Sequence, residues 1–244
     1  MRTDRTIGQT LTALMRVSGA ALALLAASCV VSPQPIPPAD EPSLDGDGIG
    51  VVDTSAEDAV GLISFTAAPG TVDPAEGRVI VTNLETDDAP SSVIVASDGS
   101  FSVALAGAPT DVIRFQVKQD ARSQPVDLRI DATAEGVELV EDSPSCFVIE
   151  PARYAPLAGA GDTLSLVLRN ECETNVSIDA PRLRRGLASF TFSPTASFSI
   201  EPGGVSFITV QRADADGEVE DVLFLDVVEP EPTRRAITLS IPDP

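Results

Sequence analysis

The sequence predicts an all-β protein in which two tandem antiparallel β-sandwiches follow a disordered tether. Two observations lead to this fold class. Apolar and polar residues alternate over many short runs, which is the period of a strand with one buried face. Clusters of proline, glycine and aspartate separate these runs at short intervals, and no stretch shows a convincing helical period.

The first 28 residues have the composition of an export signal. Arg2, Arg5 and Arg16 precede an apolar run that covers residues 17–28. As a helix this run would extend about 18 Å, well short of the ~30 Å hydrocarbon core of a bilayer. A positive flank, a short apolar run and small residues at its end indicate a signal peptide and not a membrane span.

The segment Leu25-Ala-Ala-Ser-Cys29 resembles the lipobox of bacterial lipoproteins. The resemblance implies that residues 1–28 are removed and that Cys29 becomes a lipidated, palmitate-bearing N-terminus. Most family members carry leucine where this chain has Ala26. Because Val30 and not aspartate follows the cysteine, the resemblance favours the outer membrane of the cell envelope, on either face. An ordinary secretory signal peptide with an incidental cysteine is the alternative.

Residues 29–56 are predicted to be the disordered tether. The segment contains five prolines, several acidic residues and scattered glycines, and these leave little apolar surface to bury. With a reach of 5–6 Å × √n, about 27 flexible residues span roughly 30 Å. Such a tether would hold the folded part clear of a membrane surface.

Residues 57–138 are predicted to form the first sandwich. Six short alternating runs occur in this segment, and six antiparallel strands suffice for a small sandwich. Asp98-Gly99 lies between two of the runs and is a hairpin signal. The runs cover residues 62–65, 78–82, 92–96, 100–105, 112–117 and 126–130.

The span from Gly77 to Leu105 resembles bacterial immunoglobulin-like and carboxypeptidase-regulatory-like modules. Those families often carry a strand of alternating valines after a glycine, and later an Asp-Gly-Ser-Phe step into the next strand. The matching pieces here are residues 77–82 and 98–101. The resemblance implies an immunoglobulin-like fold for this half of the chain.

Residues 143–244 are predicted to form the second sandwich, with longer strands. Residues 222–228 are almost continuously apolar, as expected of a central strand that is covered on both sides. The segments that resemble an ASH-type, or choice-of-anchor-like, β-sandwich are residues 163–170, 175–178 and 198–204. That family is related to the major sperm protein and chaperone-type immunoglobulin folds, so the resemblance implies a second immunoglobulin-like sandwich.

Cys146 and Cys172, the cysteines left if Cys29 carries the lipid, are expected to form a disulfide. Two thiols exported past the inner membrane usually pair. Family members usually have a small residue where this chain has Glu171-Cys172, and the substitution suits a bridge from the start of one strand to the end of the next. Two buried free cysteines are the alternative.

The composition argues against several classes of function. Removal of residues 1–28 would take away three arginines and one aspartate, so the formal net charge would change from −21 to −23. An acidic surface repels nucleic acid phosphates and anionic headgroups. The chain has no histidine, which excludes a Ser-His-Asp triad, a Cys-His pair and a histidine-bearing zinc site within it. We therefore expect no enzyme, no cofactor and no nucleic acid partner.

The one candidate for calcium binding that merits naming is the acidic segment with Asp214, Asp216 and Glu218. Oxygen ligands at alternate positions suit calcium, but the spacing departs from the EF-hand pattern. We favour the alternative that this is an acidic hairpin tip that solvates its loop, so no metal site is predicted.

The one basic cluster consists of Arg182, Arg184 and Arg185. It could receive an acidic partner or a lipopolysaccharide phosphate. We favour the alternative that these arginines pair with carboxylates of the same chain, because acidic residues are in large excess.

The sequence thus predicts a non-enzymatic envelope lipoprotein that acts as a structural, adhesion or protein-interaction module. Its partners would be a membrane, through the lipid, and an envelope or surface protein. A calcium- or carbohydrate-binding accessory lipoprotein is the alternative. The inference from these fold families to a function is one of analogy.

Overall fold

The structure is a computed structural model that describes residues 41–52, 61–157, 159–213 and 220–241. The described chain is built from β-strands, as predicted, and its one helix is the 3₁₀ turn Gly46–Gly48, capped by Asp45. No helix in these ranges is long and apolar enough to cross a membrane. Residues 41–52 and all later described segments belong to one compact unit.

The first half of the unit contains ten strands in two main sheets. The three-stranded sheet β2-β3-β7 is called outer sheet 1 and the five-stranded sheet β10-β9-β8-β5-β6 is called inner sheet 1; β1 and β4 form a separate pair. The strands are β1 (Ser43–Leu44), β2 (Ile49–Val52), β3 (Leu62–Ala67), β4 (Val72–Asp73), β5 (Arg78–Asn83), β6 (Ser91–Ile94), β7 (Phe101–Ala106), β8 (Val112–Lys118), β9 (Val126–Ile130) and β10 (Val137–Leu139).

The two sheets enclose one apolar core. Phe65 on β3 and Phe115 on β8 meet edge to face, with ring centroids 5.4 Å apart, and Phe101 lies 6.1 Å from Phe115. Inward residues alternate with outward ones along β3, β7 and β8, which is why the alternating runs located these strands. All six predicted runs coincide with strands of this half.

Two expectations for this half were wrong in part. Residues 41–52 were assigned to the tether, yet β1 and β2 pair within the fold and Ile49 is buried in the core. Asp98-Gly99 makes the predicted tight turn, with Gly99 at a φ of 83°. The turn does not close a hairpin, because β6 pairs with β5 and β7 pairs with β3. The chain crosses there from one sheet to the other, which lets β7 face the core from the opposite side.

The second half contains ten strands in two further sheets. The sheet β11-β13-β18-β16 is called outer sheet 2; the sheet β12-β20-β19-β14-β17, with β15 attached to β19, is called inner sheet 2. The strands are β11 (Phe147–Glu150), β12 (Tyr154–Pro156), β13 (Thr163–Asn170), β14 (Val176–Ile178), β15 (Arg182–Leu183), β16 (Phe190–Ser193), β17 (Phe198–Ile200), β18 (Val205–Arg212), β19 (Glu220–Glu229) and β20 (Thr233–Ser240).

The core of this half lies between its two sheets, and β19 is its central strand, as the continuous apolar run predicted. Leu223 and Leu225 point into the core, whereas Val222 and Phe224 are buried on the opposite face of β19. All strand pairs in this half are antiparallel except β12 with β20. Each half is thus an immunoglobulin-like β-sandwich.

The predicted disulfide joins Cys146 to Cys172. β11 begins at Phe147, which pairs with Asn170 at the end of β13. Cys146 precedes Phe147 and Cys172 follows Asn170 by two residues, so the two cysteines lie side by side, with Cα atoms 4.9 Å apart. This distance is within the range that a disulfide spans. The bridge closes a sequence separation of 26 residues at one edge of outer sheet 2.

Candidate functional site

The two sandwiches pack against each other through the outward faces of their inner sheets. Val222, Phe224 and Ala236 of inner sheet 2 form a small apolar cluster with Leu84 of the first sandwich, against which Val112 also packs. The order of layers is therefore outer sheet 1, inner sheet 1, inner sheet 2, outer sheet 2. Among the described residues, no other sheet covers the outward face of either outer sheet.

Arg114 is the central polar contact of this interface. It extends from the outward face of β8, and its Nε and Nη2 each donate to Asp127 on β9 at 2.7 Å. Its remaining donors reach the second sandwich, at the Ala236 carbonyl (2.7 Å) and the Thr238 hydroxyl (3.0 Å). The Arg114 and Asp127 side chains are only 3% and 9% exposed. A buried, bidentate pair of this kind fixes geometry as well as charge.

Arg184 reaches in the opposite direction, from the second sandwich into the first. Its guanidinium donates to the backbone carbonyls of Asn83, the last residue of β5, and of Thr86 and Asp88 in the loop that follows. Burial lowers the pKa of Arg184 from its ordinary value, while the nearby Asp221 carboxylate acts against this shift. The side chain therefore binds as a desolvated cation among carbonyl dipoles.

Asp142, in the connection between the sandwiches, is held by two arginines of the second sandwich. Arg153 Nη2 lies 2.7 Å and Arg235 Nη2 lies 3.0 Å from its carboxylate. Arg153 also donates to the Val140 carbonyl at 3.0 Å. Burial lowers the pKa of Arg235, and Asp142 opposes that change. The first part of the connection is thus bonded to the second sandwich.

Two more arginines join the sandwiches at other points of the interface. Arg122 of the first sandwich pairs with Glu220 of the second at 2.6 Å, and Arg234 of the second pairs with Glu85 of the first at 2.9 Å. Arg234 also lies over the ring of Phe224, 4.8 Å from its centroid. Arginines of both sandwiches thus make contacts across the interface.

The predicted basic cluster is part of this interface region. Arg184 crosses to the first sandwich, and Arg182 pairs with Asp226 at 3.4 Å. The backbone N–H of Arg185 donates to Asp221 at 3.0 Å. The favoured interpretation, pairing within the chain, holds for Arg182, whereas the main partners of Arg184 are carbonyl oxygens.

Outer sheet 2 has an open face with little charge. Twelve residues point outward from it, and only Arg169 and Glu150 among them are charged. These two form an ion pair of 3.0 Å. The other ten outward residues are Val148, Thr163, Ser165, Val167, Thr191, Ser193, Val205, Phe207, Thr209 and Gln211.

The apolar part of this face is concentrated in two neighbouring rows that run across the strands. Phe207, Val167 and Glu150 form one row on β18, β13 and β11. Val205, Arg169 and Val148 form the next row on the same strands. We call these six residues the Phe207 patch. Phe207 is 56% exposed and Val205 is 51% exposed.

Outer sheet 1 also has an open face, and no charged residue points outward from it. It differs from the Phe207 patch because its side chains are mostly small. Large exposed apolar residues occur only at Val52 and Leu62, each 42% exposed. The outward residues are Gly50, Val52, Leu62, Ser64, Thr66, Ser102, Ala104 and Ala106.

Sequence reasoning missed the Phe207 patch. Residues 205–210 carry apolar side chains at both parities, with Val205 and Phe207 on one and Ile208 and Val210 on the other. Only the second set is needed for the core. Apolar residues on the parity opposite to the core are the sequence signal that could have located a second apolar face on this strand.

The remaining predicted sites lie outside the described residues. These are the lipidation site Cys29 and the weak calcium candidates Asp214, Asp216 and Glu218. Within the described ranges, no group of three or more acidic, cysteine or histidine side chains is arranged to hold a metal ion.

Comparison with known proteins gives structural matches only. No protein-family model matches the chain, and no curated protein matches it. A major sperm protein family member of C. elegans, WR4, is 11% identical with a TM-score of 0.34, over 40% of this chain and 98% of that one. The ASH / PapD-like domain 7 of human CEP192 is 19% identical with a TM-score of 0.28, over 42% of this chain and 89% of that one.

A third match extends over more of the chain. The D0-D1 domain of intimin is 11% identical with a TM-score of 0.29, over 82% of this chain and 95% of that one. Similarities at these identities and TM-scores carry no argument about function. The assignment of an immunoglobulin-like fold rests on the strand pairing described above.

Proposed function

We propose that this protein is a non-enzymatic lipoprotein of the cell envelope that acts as a rigid structural and protein-interaction module. The observation that carries the proposal is the difference in charge between the whole chain and the open faces of its outer sheets. The chain has a formal net charge of −21, yet the outward side chains of both outer sheets sum to zero. A surface meant only for solubility would carry charges there.

The docking surface in this proposal is the Phe207 patch. Its four apolar side chains lie together at one end of the sheet, next to the rows of Ser and Thr residues that make up most of the remaining face. Apolar centres with polar rims are typical of protein-protein interfaces, and large aromatic side chains often dominate their binding energy. The arginine contacts between the sandwiches would keep this face in a fixed orientation relative to the rest of the unit.

The anchor in this proposal is a lipid on Cys29. Twelve peptide units separate Cys29 from Glu41, the first described residue. Even fully extended, such a segment spans at most about 40 Å. The folded unit would therefore remain within that distance of the membrane, whereas a fully extended tether of residues 29–56 would allow roughly 90 Å.

Replacing Cys29 tests the anchor. We expect Cys29→Ser to move the protein from the membrane fraction of cells to the soluble fraction, because the thiol that takes the lipid is gone. The matched control is the double variant Cys146→Ser with Cys172→Ser, which keeps Cys29 and should stay with membranes. Retention of the Cys29→Ser protein in washed membranes would contradict the lipoprotein assignment.

A photo-crosslinking phenylalanine analogue at position 207 tests the docking surface in intact cells. We expect illumination to give a discrete protein adduct from position 207. The matched control carries the same analogue at Ile94, which is 76% exposed but lies on β6 at an edge of inner sheet 1. Equal adducts from both positions, or none from position 207, would count against the Phe207 patch as the docking surface.

A further inference from the structure

We infer that the Phe207 patch binds a second copy of this chain, in a two-fold symmetric dimer with outer sheet 2 packed face to face. This inference rests on the proposed function, because it names the partner of the same surface. In such a dimer each copy contributes the same residues, so the patch must be complementary to itself.

The first argument is charge. Two copies of a chain with a net charge of −21 repel each other over most of their surface. The open face of outer sheet 2 is an exception, because its only two charges cancel. This neutral face would not attract a strongly basic partner, whereas a second copy can pack its own neutral face here without charge repulsion.

The second argument is the arrangement of those two charges. Arg169 and Glu150 lie in adjacent rows on adjacent strands, and their side chains are 44% and 54% exposed. A two-fold axis through the patch places Arg169 of one copy opposite Glu150 of the other. The apolar residues beside them, Phe207 and Val205 among them, are then buried between the two sheets.

The third argument is that this chain already uses the same chemistry to join two sheets. Between the inner sheets, Phe224 and Val222 provide an apolar centre, and arginine–carboxylate pairs such as Arg114–Asp127 lie beside it. The Phe207 patch repeats these components with Phe207, Val205 and the Arg169–Glu150 pair. The first set of components is in contact within the chain, and no sheet of the described residues lies against the second set.

The test uses the whole mature chain, residues 29–244 with Cys29→Ser, and follows its mass by sedimentation and light scattering over a concentration series. We expect dimers, and we expect Phe207→Glu to raise the dimer Kd by about 100-fold or more, since each copy loses an apolar contact at the centre of the interface. Ile94→Glu adds the same charge at a more exposed site and should leave the Kd unchanged.

A mixing experiment tests the symmetry of the dimer. Arg169→Glu gives a patch with two acids, and Glu150→Arg gives a patch with two bases. We expect each variant alone to be monomeric and an equal mixture of the two to form heterodimers, because mixing restores opposite charges across the axis. A merely structural role of the Arg169–Glu150 pair would not produce this rescue.

Three results would overturn the inference. The first is a wild-type chain that is monomeric at all concentrations, and the second is a mixture of charge variants that stays monomeric while the wild type dimerises. The third is loss of association in Ala104→Glu, which lies on outer sheet 1 and would indicate head-to-tail stacking. A monomer that still gives an adduct from position 207 with another protein in cells would refute only the dimer, not the proposed function.

Discussion

Arg114→Ala is expected to lower the free energy of unfolding by about 3–5 kcal/mol, because it leaves the buried Asp127 carboxylate with only the more distant Arg153 guanidinium, 3.8 Å away. The same change removes the donors to the Ala236 carbonyl and the Thr238 hydroxyl of the second sandwich. Urea denaturation followed by circular dichroism measures the loss. A single transition should shift to lower urea, since both halves depend on the contact.

Arg169→Ala is the matched control for this experiment. Arg169 also pairs with a carboxylate, but both partners are largely exposed, so at protein concentrations below the dimer Kd its removal should cost less than about 1 kcal/mol. A second variant, Arg114→Leu with Asp127→Leu, removes both buried charges together and should recover much of the stability. If Arg114→Ala behaves like Arg169→Ala, the interface contact is not a major source of stability.

Removal of the disulfide is expected to have a similarly large effect. The double variant Cys146→Ala with Cys172→Ala should lose roughly 3–4 kcal/mol of unfolding free energy, because a closed loop of about 26 residues restricts the unfolded chain. Urea denaturation without reductant measures the difference between the variant and the wild type. The change should appear as a lower midpoint.

Reductant provides the control for the disulfide experiment. It should destabilise the wild type by a similar amount without creating any cavity, and it should leave the double alanine variant unchanged. An equal stability of oxidised and fully reduced wild type, with both thiols shown to be free by alkylation, would refute the predicted contribution of the bridge.

The sequence was sufficient to predict elements whose pattern is local. β19 was predicted to be a covered central strand because its apolar run is continuous, and the disulfide was predicted from two cysteines beside adjacent strands. The strands within residues 41–52 were not predicted, because glycine, aspartate and proline surround Ile49 and hide its role in the core. The average composition of such a segment indicates a loop, whereas the burial of one side chain, here Ile49, can hold the segment against the core.

The packing of one sandwich on the other was beyond sequence reasoning for a different reason. Arg114 and Gln116 occupy the polar parity of β8, which ordinarily indicates solvent, and yet each is only 2% exposed. Arg114 is buried against Ala236 and Thr238 of the second sandwich, whereas Gln116 is bonded to Ser123 and Arg122 of its own sandwich. The Phe207 patch is the reverse case, because apolar residues on the outward parity of β18 stay exposed in the structure.

The arginine contacts between the sandwiches have a consequence for evolution and for protein engineering. Immunoglobulin-like domains are often exchanged between proteins as independent units. Here, removal of the second sandwich would leave Arg114 without the acceptors on Ala236 and Thr238. Removal of the first sandwich would leave Arg184 without its carbonyl acceptors. The Val222–Phe224 face would become exposed at the same time. The pair of sandwiches, and not the single sandwich, is therefore the smallest piece of this chain that can be transplanted intact.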